Sequence, residues 1–250
     1  MNPAINGSWF IVTGASGSIG REVVKGLAGR GIGIIMACRN LSKGEAVMKS
    51  VLADVPDARL RLEMLDLSSS ESIHSFVKRI ANDNISGIFN NAGAIFRDFG
   101  LTPEGRERTF AVNYYGPVEL TEALLPMLKP GSSIVNMVSV TARISSLSDA
   151  DFIPDKKRFG QLKTYGKAKL ALLRYSRELA GRRPDLHVNV ADPGVVNSNM
   201  ISMGRWFDPL ADVLFRPFCK SPAKGAVPAI NAILYEGSLR YFSGTSSRPM

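Results

Sequence analysis

Short apolar runs alternate with longer helical patterns along most of the 250 residues, and this alternation limits the folds that the chain can adopt. Apolar runs bounded by turn residues predict strands, and the amphipathic stretches between them predict helices. Such alternation is the signature of βαβ units and a parallel sheet. The sequence therefore predicts an α/β fold, a doubly wound parallel sheet with helices on both faces.

The pattern also predicts where the elements lie. We expect strands at 9–13, 32–38, 60–65, 87–90, 133–139 and 187–191, with a short last strand near 240–243. We expect helices near 18–30, 42–55, 70–82, 104–128 and 162–182. A chain of this length with 45% hydrophobic residues can bury one sizeable core, so 1–250 is predicted to be a single domain. The stretch 197–220, rich in Met, Phe, Trp and Pro, is predicted to be an insertion that covers the substrate.

Composition excludes several classes of function. The net charge of +9 would suit nucleic acid, an anionic membrane or a phosphate-rich ligand, but the basic residues are scattered and no nucleic-acid motif surrounds them. Two cysteines and two histidines, in no paired motif, predict neither a disulfide framework nor a structural zinc site. Without an apolar run long enough to span a bilayer or a signal core before the first strand, we expect a cytoplasmic protein with no integral membrane segment.

A glycine-rich turn follows the first strand. The sequence TGASGSIG, Thr13 to Gly20, lies between that strand and an amphipathic helix. Gly14 and Gly17 would let the backbone turn sharply and approach a pyrophosphate, and Gly20 would permit close packing of helix on strand. Because a helix N-terminus then faces the anion, the arrangement predicts a dinucleotide site.

The ends of the next two strands indicate which dinucleotide. Arg39, in ACRN, lies about twenty residues beyond the last glycine, where an acidic residue would bind the ribose of NAD and an arginine can pair with the 2′-phosphate of NADP. Arg21 could add to that phosphate site or be a surface residue. Asp66, in LDLSS, is expected to meet the adenine edge or, alternatively, to cap the following helix.

Tyr165 and Lys169 lie four residues apart in a predicted helix, which would place a phenol and an ammonium on one face. A free tyrosine has a pKa of about 10, but a nearby cation favours the phenolate, so this phenol could exchange protons with a substrate oxygen at neutral pH. Taken alone, the pair also fits a solvated helix with an extended lysine.

The motifs described so far, together with several further segments, follow one another in a recognisable order. TGASGSIG, ACRN, LDLSS, NNAG (90–93), VNYYG (112–116), the strand ending at Ser139, YGKAK (165–169) and DPGVVNSNM (192–200) together resemble the short-chain dehydrogenase/reductase family. The resemblance covers nearly the whole chain and implies a Rossmann fold. ACRN, the long segment before Tyr165 and KSPAKGA (220–226) look most like the retinol dehydrogenase and WW-domain oxidoreductase type.

The resemblance implies a catalytic tetrad of Asn113, Ser139, Tyr165 and Lys169. Tyr165 would exchange a proton with the substrate oxygen as hydride passes between the nicotinamide and a carbonyl/alcohol pair, and Ser139 would hydrogen-bond the same oxygen. Lys169 would lower the pKa of the tyrosine and bind the nicotinamide ribose, and Asn113 would hold a water that links the lysine to solvent. The residues expected to contact NADP(H) are Gly14, Ser16, Gly17, Ser18, Ile19, Gly20, Arg39, Asn40, Asp66, Leu67, Asn91, Ala92, Gly93, Tyr165, Lys169, Pro193, Gly194 and Val196.

The chain departs from the compact members of the family in two ways. Their usual TGxxxGxG is here TGxxGxxG, the spelling of the larger, epimerase-like branch, which leaves the contacts of Ser16, Gly17 and Ser18 open. The interval from Ser139 to Tyr165 is also about twice the common one, and part of this insertion is expected to form a lid or surface loop beside the substrate mouth.

The substrate is expected to be a lipophilic carbonyl compound or alcohol, because the irregular stretch offers an apolar wall, unless these side chains cover the sheet as core. The candidate wall residues are Met200, Met203, Trp206, Phe207, Phe215 and Phe218. Two alternatives stay open: a nucleotide-sugar epimerase or dehydratase, and a non-enzymatic NADP-binding sensor. By analogy with the family, the helices near 104–128 and 162–182 would pair subunits in a homodimer or homotetramer.

Overall fold

The computed structural model describes residues 7–196 and 220–250, in which eight strands form one sheet. The order is β3-β2-β1-β4-β5-β6-β7-β8, with the first seven strands parallel and β8 antiparallel to β7. The predicted α/β fold with a doubly wound sheet is thereby confirmed. The strands are β1 (Trp9–Thr13), β2 (Gly33–Cys38), β3 (Leu60–Met64), β4 (Ile85–Asn90), β5 (Ser133–Met137), β6 (His187–Asp192), β7 (Arg240–Ser243) and β8 (Ser246–Pro249).

The helices of the described residues follow the predicted positions, with additions. They are α1 (Ser18–Ala28), α2 (Leu41–Asp54), α3 (Ser70–Arg79), α4 (Arg108–Phe110), a π-helical segment (Ala111–Tyr115), α5 (Gly116–Leu124), a 3₁₀ turn (Leu125–Met127), α6 (Val140–Arg143), a second 3₁₀ turn (Asp149–Phe152), α7 (Gln161–Arg182) and α8 (Pro222–Leu234). Between 7 and 196 and between 220 and 250, no helix is both long enough and apolar enough to cross a bilayer.

The sheet has a buried core on each face, as alternation along a strand requires. On one face, Phe10 and Val12 of β1 pack with residues of α1 and α8, whereas Ile11 points to the other face and packs with residues of α3, α5 and α7. Every residue of β2 and β4 is buried. Such strands belong to the covered centre of a parallel sheet, so the carboxyl edge is the part left open for a ligand.

The single helix predicted at 104–128 is wrong in two respects. It begins at Arg108, because Glu107 caps it by accepting a hydrogen bond from the Phe110 N–H at 2.9 Å. It also widens into the π-helical segment around Asn113, whose side-chain nitrogen donates to the Thr109 carbonyl at 2.8 Å. Pro117 has no N–H for the Asn113 carbonyl, so the regular α-helical ladder fails at this point.

Strand β8 was not predicted. It follows β7 through a two-residue turn in which Gly244 has a φ of +60°, and Ser243 pairs with Ser246 across that turn. A short polar strand at the edge of a sheet has no alternating apolar pattern, so its sequence, SSRP, carries no strand signal.

Candidate active site

The glycine-rich turn after β1 has the tight backbone that the sequence predicts. Gly14 donates its N–H to the Ala37 carbonyl at 2.8 Å, and Gly17 donates to the Gly14 carbonyl at 2.9 Å. Gly14 has a φ of +62°, and a Cβ there would lie 2.9 Å from the Cα of Ala92. A Cβ at Gly20 would lie 2.4 Å from the Gly14 oxygen. Glycine is therefore required at Gly14 by conformation and packing, and at Gly20 by packing.

The N-terminus of α1 opens from this turn. Gly17 is the N-cap with an ordinary φ of −78° and, as a glycine, has no side chain to accept a hydrogen bond from the first turn of the helix. The helix also has no acidic residue in that turn. Backbone N–H groups at such an end, together with the helix dipole, favour an anion. This end fits the pyrophosphate of a dinucleotide.

Thr13 and Asn91 tie the glycine turn to the loop after β4. The Thr13 hydroxyl accepts from the backbone N–H groups of Asn91 and Ala92, each at 3.0 Å. The Asn91 side-chain amide donates to the carbonyls of Thr13 at 2.9 Å and Gly14 at 3.2 Å. The amide of Asn91 thus holds the turn in shape, which is a structural role that the sequence analysis did not assign.

A cavity of about 640 Å³ lies over the carboxyl ends of β1, β2 and β4. That volume suits part of a dinucleotide. Residues that the sequence did not single out as contacts, Thr13, Ala37, Lys43, Leu65, Ala94 and Val112, also line it. The predicted cofactor residues in its wall are Gly14, Ser16, Gly17, Ser18, Ile19, Gly20, Arg39, Asn40, Asp66, Leu67, Asn91, Ala92 and Gly93.

Two of these wall residues have local bonds of their own. Asn40 is the N-cap of α2 and accepts from the Lys43 N–H at 2.9 Å. Asp66 accepts from the N–H of Ser68 at 2.8 Å and from its hydroxyl at 2.6 Å. Ser69, not Asp66, caps α3, so the alternative that Asp66 is the cap is wrong. Asp66 instead fixes the turn that leads into the helix.

The four tetrad positions meet at the carboxyl ends of β4 and β5. Asn113 is fully buried in the π-helical segment, and its amide nitrogen donates to the Ala94 carbonyl at 2.7 Å. Its side-chain oxygen has no hydrogen-bond partner among the described residues. A Cβ at Gly93 would lie 2.8 Å from that oxygen and 3.6 Å from the Lys169 ammonium nitrogen, so Asn113 and Lys169 flank Gly93.

Lys169 is buried to 1% exposure, and its ammonium donates to the Met137 carbonyl at 2.9 Å. The nitrogen lies 5.7 Å from the centre of the Tyr165 ring. Burial disfavours the charged form and lowers the pKa of Lys169 to about 7. The lysine is therefore poised to change its charge near neutral pH.

Tyr165 and Ser139 are the other two members of this group. Ser139 follows β5, caps α6 and lies close enough to Tyr165 for its side chain to favour a lower pKa of the phenol. Tyr165 is 8% exposed, and this burial raises its pKa to about 12, against the lowering effect of the Ser139 side chain and with a further rise from the charge of Asp192. Lys169 is not among the groups that shift this pKa, so the lowering by Lys169 expected from the sequence is wrong for this structure, and Tyr165 is a phenol at neutral pH.

The turn after β6 lies at the same edge. Asp192 is buried, accepts from the Tyr241 hydroxyl at 2.6 Å and accepts from the Gly194 N–H at 2.9 Å. These bonds fix the turn that carries Pro193 and Gly194, in which Gly194 has a φ of +72°. Val196 pairs with Lys220 in an isolated bridge. The candidate wall residues Met200, Met203, Trp206, Phe207, Phe215 and Phe218 lie outside the described residues.

The insertion between Ser139 and Tyr165 packs against the body of the protein. Asp151 forms an ion pair with Lys167 of α7 and accepts from the Ser148 N–H at 2.9 Å, and its pKa is lowered to about 2 by these bonds against the opposing effect of burial. The Phe152 ring meets Phe110 at 5.9 Å and Tyr114 at 5.6 Å between centroids. This part of the insertion therefore braces α7 and the π-helical segment.

Comparison with known proteins gives consistent matches. Residues 8–205 match the family described as short chain dehydrogenase. The chain is 34% identical over 252 aligned positions to retinol dehydrogenase 12 of Mus musculus, covering 97% of this chain and 79% of that protein. It is 31% identical to the WW domain-containing oxidoreductase of Gallus gallus, covering 90% of this chain and 58% of that protein. The predicted resemblance to this type is confirmed.

Solved structures agree on the fold. A short-chain dehydrogenase from Sphingobium yanoikuyae, solved in complex with NADPH, superimposes with a TM-score of 0.71 at 20% identity. The alignment covers 94% of this chain and 87% of that one.

Proposed function

The chain belongs to the short-chain dehydrogenase family, and we propose that it is an NADP-dependent oxidoreductase that exchanges a hydride between the nicotinamide and a lipophilic carbonyl/alcohol pair. One observation carries this proposal: Asn113 and Lys169 flank Gly93, which lines the 640 Å³ cavity, and the Lys169 nitrogen lies 5.7 Å from the centre of the Tyr165 ring, whose hydroxyl lies close to Ser139. Proton-transfer groups beside a dinucleotide-sized cavity suit hydride chemistry.

Tyr165 is the general acid in the direction of carbonyl reduction. Its pKa of about 12 keeps the phenol protonated at neutral pH, so it has a proton to give to the substrate oxygen. Ser139, whose side chain lies close to that phenol, stabilises the charge that develops on the same oxygen. In the reverse direction Tyr165 first gives its proton to Lys169, and the phenolate then accepts the proton of the alcohol.

Lys169 replaces the proton that Tyr165 gives up, and Asn113 holds the water through which Lys169 is reprotonated. With a pKa lowered to about 7, Lys169 gains and loses a proton near neutral pH, and its ammonium is available to the ribose hydroxyls of the nicotinamide half. The Asn113 side-chain oxygen is buried without a partner among the described residues and lies near Gly93, as a water-binding group would. We propose that a water there links Lys169 to solvent.

When bound, NADPH supplies the hydride, and this chain supplies its binding groups. The glycine turn and the N-terminus of α1 would hold the pyrophosphate, Arg39 would hold the 2′-phosphate, and Asp66 and Leu67 would border the adenine, since all of them line the cavity. Pro193, Gly194 and Val196 wall the nicotinamide. The support for NADP is the cation at position 39, where NAD sites carry an acidic residue, and a structural neighbour that is an NADPH complex.

Exposed apolar side chains support a lipophilic substrate. Val140, directly after Ser139, is 42% exposed, Ile144 is 85% exposed and Val195, directly after Gly194, is 61% exposed. Large apolar groups next in sequence to a proposed catalytic residue and to an expected nicotinamide contact favour an apolar substrate over a sugar phosphate. The similarity to retinol dehydrogenases agrees with this class. The cytoplasmic location, the absence of a nucleic-acid partner and the pairing into a homodimer or homotetramer stay predictions.

The first experiment titrates the protein with NADPH and NADH, and then follows NADPH oxidation with a panel of aldehydes, ketones and quinones. We expect at least about tenfold tighter binding of NADPH and turnover of apolar members of the panel. Equal affinity for the two cofactors would contradict the role of Arg39. NADPH binding without turnover of any compound would instead favour the sensor alternative.

A further inference from the structure

We propose that Asp192 is a positioning residue of the active site: held by Tyr241, it orients the turn of the next two residues and presents a buried negative charge to Tyr165. The inference rests on the proposed function, in which Tyr165 exchanges the proton with the substrate. It goes further because neither Asp192 nor Tyr241 was among the residues expected at the site.

Asp192 lies at the carboxyl edge of the sheet, next to the strand that leads into Ser139. In the parallel pairing of β5 with β6, Met137 is opposite Ala191, and the Val138 N–H donates to the Ala191 carbonyl at 2.9 Å. Asp192 is the residue after Ala191, and Ser139 is the residue after Val138. The carboxylate is therefore built into the same pair of strand ends that carries Ser139.

Tyr241 connects Asp192 to the helix that carries Tyr165. The Tyr241 side chain is 4% exposed, and its hydroxyl donates to Oδ2 of Asp192 at 2.6 Å. It belongs to a buried cluster with Val138, Leu173 and Val190. Leu173 lies on α7, about two turns after Tyr165. The same phenol therefore packs against the helix of Tyr165 and fixes one oxygen of the carboxylate.

The hydrogen bonds alone do not explain why this residue is an aspartate. Oδ1 accepts from the Gly194 N–H at 2.9 Å, and Oδ2 accepts from Tyr241. An asparagine of the same shape could accept the first bond through its carbonyl and donate its amide to the Tyr241 oxygen. The buried carboxylate adds a desolvation cost, and within 7–196 and 220–250 it forms no ion pair. The property that only aspartate supplies here is the negative charge.

That charge acts on Tyr165. The pKa of Tyr165 is raised to about 12 by burial, against the lowering effect of the Ser139 side chain, and the negative charge of Asp192 contributes to the rise. Lys169, whose nitrogen lies 5.7 Å from the centre of the Tyr165 ring, has a pKa lowered to about 7 by burial, so it is neutral in alkaline solution. Asp192 thus favours the phenol over the phenolate.

Three cations face the pair of Asp192 and Tyr241 from other parts of the fold. The guanidinium carbon of Arg248, on β8, lies 4.7 Å from the centre of the Tyr241 ring, and the charge of Arg143, on α6, also acts on this phenol. The Lys220 amino group lies beside the turn that follows Asp192. Because none of the three forms an ion pair with Asp192, the carboxylate charge is not cancelled by a direct contact.

The first test reads the ionisation of Tyr165 and needs no substrate. Tyrosinate absorbance is followed from about pH 8 to about pH 11 in the unmodified protein and in Asp192→Asn, each with and without Tyr165→Phe, so that the difference isolates Tyr165. We expect the Tyr165 signal near the upper limit to be at least about twofold larger in Asp192→Asn. The control Asp185→Asn, which removes an exposed carboxylate paired with Arg183, should not change it. An equal or smaller signal in Asp192→Asn would overturn the inference.

The second test separates positioning from charge. Tyr241→Phe keeps the carboxylate but removes one of its two hydrogen bonds, so it should weaken NADPH binding roughly three- to tenfold without enlarging the Tyr165 signal. Asp192→Asn retains both bonds and should leave the NADPH Kd within about twofold. The control Tyr235→Phe removes the hydroxyl of a tyrosine that is 39% exposed, and should change neither quantity. Unchanged NADPH affinity in Tyr241→Phe would overturn the positioning role.

A kinetic profile links the two tests to the reaction. Oxidation of the alcohol that corresponds to the carbonyl compound found in the panel should reach half of its maximal rate at a lower pH in Asp192→Asn, since that direction begins from the phenolate. If Tyr165→Phe abolishes turnover but Asp192→Asn changes neither the Tyr165 signal nor this pH, the inference fails and the proposed function stands. If the signal responds but Tyr165→Phe keeps full turnover, the proposed function fails instead.

Discussion

The nucleotide half and the catalytic half of the site are formed by different kinds of groups. The nucleotide half consists mainly of main-chain groups. They are a glycine turn, held in place by the Thr13 and Asn91 side chains, and the open N-terminus of α1 beside a 640 Å³ cavity. The catalytic half is side chain: Asn113 and Lys169 are buried completely or nearly so, and Tyr165 is 8% exposed.

The two halves also differ in how they affect the free energy of folding. Main-chain groups in a turn need the correct conformation but bury no charge, so the glycine turn depends on backbone geometry and on the side chains of Thr13 and Asn91 that hold it. Buried ionisable groups lose hydration, which moves their pKa values and opposes folding. In the catalytic half, burial sets the pKa values and lowers the stability of the fold. In the nucleotide half, steric contacts set the conformation of the turn.

The largest expected effect separates chemistry from binding. Tyr165→Phe removes the proton donor and leaves the cavity unchanged, so kcat for the carbonyl compound identified in the panel should fall by about 10²–10⁴. The Kd for NADPH should stay within about twofold. Full turnover in the variant would show that another group donates the proton.

The glycine turn should show strict position dependence. Gly14→Ala would strain a φ of +62° and bring Cβ within 2.9 Å of the Ala92 Cα, so we expect a loss of about 2–4 kcal/mol in the free energy of unfolding and weak NADPH binding. Gly17→Ala has a φ of −78° and its nearest contact at 3.2 Å, and should cost less than about 1 kcal/mol. Urea denaturation measures both. Equal losses would mean that the turn is not held as described.

Lys169 should make the free energy of unfolding depend on pH. Its folded pKa of about 7 lies below the ordinary lysine value of 10.5, so between these values the unfolded chain binds the extra proton and stability rises with pH. Lys169→Met should abolish this rise and, near pH 7, gain on the order of a few kcal/mol of stability. Parallel pH profiles of unfolding in the two proteins would contradict the burial of an uncompensated amine.

The smallest effect distinguishes two roles of Asn40, predicted from sequence as a cofactor contact and found as the cap of α2. Asn40→Ala should cost about 1 kcal/mol, since it removes the bond to the Lys43 N–H. Asn40→Asp should keep the cap and therefore the stability, but weaken NADPH a few-fold by adding a negative charge beside the phosphate. If Asn40→Asp binds NADPH unchanged, the 2′-phosphate does not lie at this end of the cavity.

Much of the fold followed from the sequence, because local patterns record it. The periodicity of apolar residues located β1–β7 to within about two residues, and the order of the motifs indicated the family before any contact was known. The helix at 104–128 was mispredicted, because the periodicity of apolar residues does not show the π-helical segment around Asn113. That segment is associated with the side-chain bond of Asn113 to Thr109 and with Pro117. Lys43 lines the cavity but was not predicted to do so. The one indication in the sequence was its position in the first turn of a helix, just after the capping residue Asn40.

By itself, the sequence determined the α/β architecture, the glycine turn and which four residue types come together, because each depends on local conformation or on a recognisable order of segments. Only the tertiary structure decided the pKa of Tyr165, the buried state of Lys169, the structural task of Asn91 and the pairing of Asp192 with Tyr241. These depend on how much water is excluded and on which strand ends are neighbours, and both are set by contacts between residues far apart in the chain.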